Sequence, residues 1–68
     1  MNKFCERLRE LRTDNGMSRA LLAKTLKVSE RLVAYWENGQ RECNFDTLIA
    51  LANLFSTSTD YLLGVIDY

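Results

Sequence analysis

Apolar side chains recur along this chain at helical spacing, and no stretch alternates polar and apolar residues as a strand would. Phe4, Leu8 and Leu11 stand four and three apart with charged residues on the opposite side, which predicts a first helix over about Lys3 to Asn15. Gly16 offers the left-handed stop. Each later segment opens in the same way: an apolar residue, a side chain able to cap free backbone N–H groups, then an apolar residue that closes a hydrophobic staple. The four instances are Met17/Ser18/Leu22, Val28/Ser29/Val33, Cys43/Asn44/Leu48 and Thr57/Ser58/Leu62, the last being weakest because threonine brings only a methyl group. Five helices separated by short breaks are expected, without repeats, low-complexity tracts or linkers.

The same spacing sets the expected core. Leu22, Ala23 and Leu26 form a stripe on the second helix, and Val33 with Trp36 forms one on the third. Phe45, Leu48, Ile49, Ala52 and Phe55 give the fourth helix a broad face to bury, and Leu62 tucks in from a short fifth helix ending near Gly64. Trp36 is expected in this core rather than as a stacking platform for bases.

Residues Ser18 to Gly39 hold two short helical patterns split at Lys27-Val28-Ser29, a break that favours a steep crossing over antiparallel stacking. That is the layout of a helix-turn-helix, in which the first helix props up the second so that its outer face protrudes. A protruding helix fits the major groove of B-DNA, about 12 Å wide, so duplex DNA is the expected partner.

A chain of 68 residues makes one small domain, 1–68, which buries about 60% of the surface its unfolded form exposes and leaves no room for a signal-sensing domain. At 47% hydrophobic and 26% charged with no proline, it reads as a folded soluble module rather than a disordered tail. The charged N-terminus and the lack of a long apolar stretch point to the cytoplasm. Met1 and the apolar tail favour a whole protein over an excised piece. Cys5 and Cys43 are read as reduced packing residues, because two cysteines without a histidine cannot complete a zinc site. No metal, cofactor or small-molecule ligand is expected.

The net charge of zero would argue against a nucleic-acid binder if it were evenly spread. It is not. Residues 1–41 hold all nine basic side chains against five acidic ones, whereas residues 42–68 hold four acidic side chains and no basic one. Two electrical poles are expected.

With Val33 and Trp36 turned inward, the 100° step per residue turns Glu30, Arg31, Ala34 and Tyr35 outward. Arg31 is expected to read a base by donating to guanine O6 and N7, with a phosphate contact as the alternative. Glu30 can accept from cytosine N4 or simply complement the helix N-terminus. Tyr35 can bond a base edge or a phosphate, and Leu32 on the flank can touch a thymine methyl or a protein. Ser18 and Arg19, at the N-terminus of the second helix, suit a phosphate, as does Ser29 at the next cap, while Lys24 and Lys27 add weaker charge contacts or are merely solvated. Leu54, Leu63, Val65, Ile66 and Tyr68 exceed what the core needs, and are expected to form a homodimer contact or else to pack on their own domain. An enzyme is not expected, since there is no histidine, no base beside either cysteine and no Gly-rich phosphate loop.

FCERLRELRTDNGMS, LLAKTLKVSERLVAYWENGQRE and FDTLIALANLFSTSTDYLLG, in this order and spacing, resemble the Cro and phage-repressor type helix-turn-helix family, also called XRE, from Phe4 to Gly64. The resemblance implies an all-α, compact five-helix, lambda-repressor-like DNA-binding domain. Its third helix, about Glu30 to Asn38, would enter the major groove as one half of a symmetric dimer on an inverted-repeat operator. It further implies that Asn38, Gln40 and Arg41 hold a phosphate and that Arg12 and Glu37 form a buried structural ion pair. Lys27 stands where the family usually has glycine, Leu21 where an acidic residue is common, Cys43 where proline is common and Thr57 where an apolar residue is common. None of these departures touches the groove-facing side. The function so implied is a sequence-specific transcriptional regulator, by default a repressor that occupies a promoter. The alternative is a protein-binding module such as an antirepressor or antitoxin, to which acidic Glu30 and apolar Leu32 would suit the same protruding helix.

Overall fold

Hydroxyl and amide side chains open four of the helices by accepting a backbone N–H three residues on: Ser18 Oγ from Leu21, Ser29 Oγ from Leu32 and Ser58 Oγ from Tyr61, each at 3.0 Å, and Asn44 Oδ1 from Thr47 at 2.8 Å. In the computed structural model, which describes residues 2–68 and leaves Met1 outside, the helices are α1 (Phe4–Asp14), α2 (Arg19–Leu26), α3 (Glu30–Glu37), α4 (Phe45–Leu54) and α5 (Thr59–Leu63). Helix α3 packs against α1 and α2, and α5 against α1 and α4. No strand occurs among the described residues.

Each helix stops by one device. A residue with positive φ follows the last turn, its N–H and the next one folding back onto carbonyls of that turn in the Schellman pattern. Gly16, Gly39 and Gly64 fill this position after α1, α3 and α5, but Lys27 (φ 59°) and Ser56 (φ 53°) fill it after α2 and α4. Lys27 N–H bonds Lys24 O at 3.2 Å and Val28 N–H bonds Ala23 O at 3.0 Å, so the helix-turn-helix bend survives without glycine. A side chain there costs about 1 kcal/mol of backbone strain.

The core consists of Phe4, Leu8, Leu22, Ala23, Val33, Trp36, Leu48, Leu51, Ala52 and Leu62, with Leu11, Met17, Leu26, Val28 and Phe55 among those packed against it. Two residues expected inside lie outside, for Phe45 is 83% and Ile49 51% exposed. The buried stripe of α4 is Leu48, Leu51 and Ala52, continued by the partly buried Phe55 at its cap, at positions i, i+3, i+4 and i+7. Ile49 is one 100° step round from Leu48, and Phe45 sits on the opening turn, beyond the end of that stripe.

Candidate nucleic-acid interface

Glu37, the last residue of α3, is 1% exposed, and both its carboxylate oxygens are engaged. Arg12 of α1 donates from Nε to Oε2 and from Nη2 to Oε1 at 3.0 Å, and its Nη1 donates to Met17 O at 2.8 Å. Arg19, the first residue of α2, donates from Nε to Oε1 at 3.0 Å. Burial pushes the Glu37 carboxyl up, but the hydrogen bonds and charges of Arg12 and Arg19 outweigh it and hold the group below the usual carboxylate range. The Glu37 hydrogen bond in turn raises Arg12, against the opposing effect of burial. The carboxylate is therefore charged at neutral pH and ties the supporting helix, the first helix and the end of α3 into one body.

On that body Glu30 and Arg31 are exposed, and Ala34 and Tyr35, which the helical period puts on the same side of α3, are half-buried. The guanidinium of Arg41 lies 4.8 Å over the Tyr35 ring, and Tyr35 O accepts the N–H groups of Gln40 and Arg41, so the loop after α3 folds back along the helix. Asn38, Gln40, Lys24 and Lys27 are exposed. Ser18 and Ser29 spend an oxygen lone pair on their caps and keep the hydroxyl hydrogen to donate. Leu32, expected on the flank, is half-buried against the core, which leaves it little free surface.

Of the apolar residues expected to exceed the core, Leu54, Val65 and Tyr68 are exposed, with Tyr68 at 88%. Leu63 instead packs against the core, and its carbonyl accepts Lys3 N–H at 3.1 Å. Ile66 is half-buried. The tail is held by a residue that reasoning from the sequence missed. Arg7 is buried, stacks 4.1 Å from the centre of the Tyr61 ring, and donates from Nη1 to Tyr61 O (2.7 Å) and Ile66 O (3.1 Å) and from Nη2 to Asp67 Oδ1 (3.2 Å). The signal was present, for Phe4, Arg7, Leu8 and Leu11 stand at i, i+3, i+4 and i+7 of one stripe in which arginine occupies a core register.

Both cysteines are free, and burial pushes the Cys43 thiol up, which keeps it protonated and slow to react. Among the described residues no group of three acidic, cysteine or histidine side chains could hold a metal ion, and no helix is long and apolar enough to cross a membrane.

A family model described as Helix-turn-helix matches residues 8–62. The chain is 37% identical over 59 residues to the HTH-type transcriptional regulator ImmR of Bacillus subtilis, covering 87% of this chain and 46% of that protein. It is 36% identical over 58 residues to the repressor protein C2 of Salmonella phage P22, covering 85% of this chain and 27% of the repressor. The chain thus spans about half or less of these curated relatives. Its fold superposes on a transcriptional regulator from Listeria innocua with a TM-score of 0.91 at 33% identity, covering 97% of this chain and 62% of that one. On the P22 c2 repressor in complex with a synthetic operator the TM-score is 0.84 at 33% identity, covering 93% and 96%. With the matched span running from α1 into α5, and the turn between α2 and α3 in place, this chain belongs to the helix-turn-helix family of the phage-repressor type.

Proposed function

We propose that residues 1–68 act as one sequence-specific duplex-DNA-binding unit of a cytoplasmic transcriptional regulator, that it is not an enzyme, and that it represses by occupying a promoter. The observation that carries this reading is the outer face of α3, where Glu30 and Arg31 stand clear of a helix anchored at its far end by Arg12 and Glu37. Arg31 reads a base, Glu30, Ala34 and Tyr35 line the groove, and Ser18, Arg19, Lys27, Ser29, Asn38, Gln40 and Arg41 take phosphates. Likeness to a repressor bound to its operator supports the same orientation. Leu54, Val65 and Tyr68 suit a twofold contact that sets two copies of α3 about 34 Å apart on an inverted repeat.

Binding to mixed-sequence duplex DNA across a salt series tests this reading. Affinity should fall log-linearly with salt, by about 0.9 per phosphate contacted. A chain that ignores duplex DNA even at low salt and instead retains a protein partner is an interaction module such as an antirepressor or antitoxin; the exposed Phe45 and Ile49 beside acidic Glu42 and Asp46 are the surface that favours this second reading.

A further inference from the structure

Two arginines share Glu37, and they are used differently. Arg12 commits all three guanidinium nitrogens to protein acceptors, two to the carboxylate and one to Met17 O, and its side chain is 12% exposed. Three of its five N–H donors are spent, and the side chain is too buried to offer the other two to a ligand. Arg19 commits only Nε, its side chain is 38% exposed, and among the described residues no acceptor takes its Nη1 or Nη2. These terminal groups carry four N–H donors in a fixed planar fork. They belong to the first residue of α2, which follows the Ser18 cap in sequence, and the backbone N–H groups of Arg19 and Ala20, as the opening residues of a helix, have no partner within it. A guanidinium bonded through Nε keeps its terminal nitrogens for a second acceptor.

We infer that Glu37 is a positioning residue for phosphate binding: it grips the inner edge of Arg19 so that the outer edge, with Ser18, is preset for one backbone phosphate. This rests on the proposed binding of duplex DNA and adds to it a mechanical link. Arg19 opens the supporting helix and Glu37 closes the groove-entering helix, so a phosphate seated on Arg19 fixes the standoff of α3 from the duplex. The buried carboxylate makes no contact with DNA itself. It acts through the arginine, whose lost rotamer freedom is met on folding rather than on binding. A lysine at position 19 would put all its donors on one ammonium without the rigid planar fork, so it could not hold Glu37 and present a separate set of donors in a preset direction.

The test uses the full chain and a mixed-sequence duplex, with affinity measured across a salt series for the unchanged protein, Arg19→Lys, Arg19→Ala, Glu37→Gln and the Glu37→Gln/Arg19→Ala double variant. Arg19→Ala should weaken binding about tenfold and reduce the salt slope by about 0.9, and Arg19→Lys should weaken it severalfold despite the retained charge. In the Glu37→Gln background, removing Arg19 should change affinity by no more than about twofold, because the side chain is then no longer aimed. Helical content and thermal unfolding of each variant establish that it is folded at the assay temperature; should Glu37→Gln unfold, the comparison of Arg19→Lys with Arg19→Ala decides alone. An Arg19→Ala protein with the full salt slope, an Arg19→Lys protein that binds like the unchanged chain, or an undiminished Arg19 effect without Glu37 would each overturn the inference. Failure of the unchanged protein to bind any duplex at low salt would instead sink the DNA-binding reading itself.

Discussion

Arg12 and Glu37 lie 25 positions apart in the chain and form a two-pronged ion pair whose carboxylate has no exposed side-chain surface. A charge so buried is tolerable only when every acceptor is used, and here the second arginine completes the set while no buried side-chain nitrogen or oxygen among the described residues lacks a partner. The pair's contribution therefore lies less in net attraction than in geometry, for it fixes where α3 ends relative to α1.

Removing one partner should be far worse than the pair's own net strength suggests. Arg12→Met strands Glu37 with Arg19 alone and should lower stability by about 3–5 kcal/mol, a large part of what a small domain has. Urea unfolding followed by circular dichroism measures it; a loss below about 1 kcal/mol would mean that the carboxylate is not desolvated as described.

Acid should find the same site. Glu37 is held below the usual carboxylate range in the folded chain, so its contribution to stability is fully present above the unfolded value of about 4.3 and is lost as pH falls through the folded value. Thermal midpoints from pH 7 down to pH 3 should therefore decline in the most acidic part of that range. Glu37→Gln should flatten the decline, and an identical profile in that variant would assign the acid sensitivity elsewhere.

Lys27 carries backbone strain that glycine would relieve. With φ at 59° it occupies the left-handed corner of the turn, and Lys27→Gly should gain up to about 0.5 kcal/mol once the extra freedom of an unfolded glycine is counted. The thermal midpoint should rise by no more than roughly 4 °C. If Lys27 also meets a phosphate, the glycine variant binds duplex DNA more weakly, with a smaller salt slope; a variant that loses stability would refute the strain.

Arg31 and Arg41 should separate cleanly in a binding assay on variant duplexes. Arg31→Ala is expected to lose about 1–3 kcal/mol at the preferred base and to relax sequence preference there, whereas Arg41→Ala should weaken all sequences alike and lower the salt slope by about 0.9. The Tyr35 ring, uncovered when Arg41 is removed, should show altered fluorescence or ring proton shifts. Should Arg31→Ala also weaken every sequence equally, its contact is a phosphate rather than a base.

Arg7→Ala removes the donor to two backbone carbonyls and the cover over Tyr61. A loss of about 2–3 kcal/mol is expected, together with faster amide exchange in residues 64–68. The exposed partner Asp67 contributes little to this, so Asp67→Asn should be nearly silent in the same measurements.

What the amino-acid order determined by itself was local. Helix starts at Ser18, Ser29, Asn44 and Ser58 rest on an acceptor reaching a backbone N–H three residues away, and the stops at Gly16 and Gly64 rest on one residue's φ, so both are legible without knowing any neighbour. The outward turn of Glu30 and Arg31 followed from helical period once Val33 and Trp36 were placed inside. Resemblance to a family, rather than spacing, suggested that Arg12 meets Glu37. Tertiary structure alone decided which apolar positions on α4 are covered, leaving Phe45 and Ile49 outside while burying Leu51, because the width of a buried stripe depends on the helices laid against it. It likewise decided that Arg7 belongs in the interior and that Arg19 shares Glu37, for each needs partners brought from 18 to 60 positions away, and pairing at that range is fixed by packing rather than by sequence neighbours.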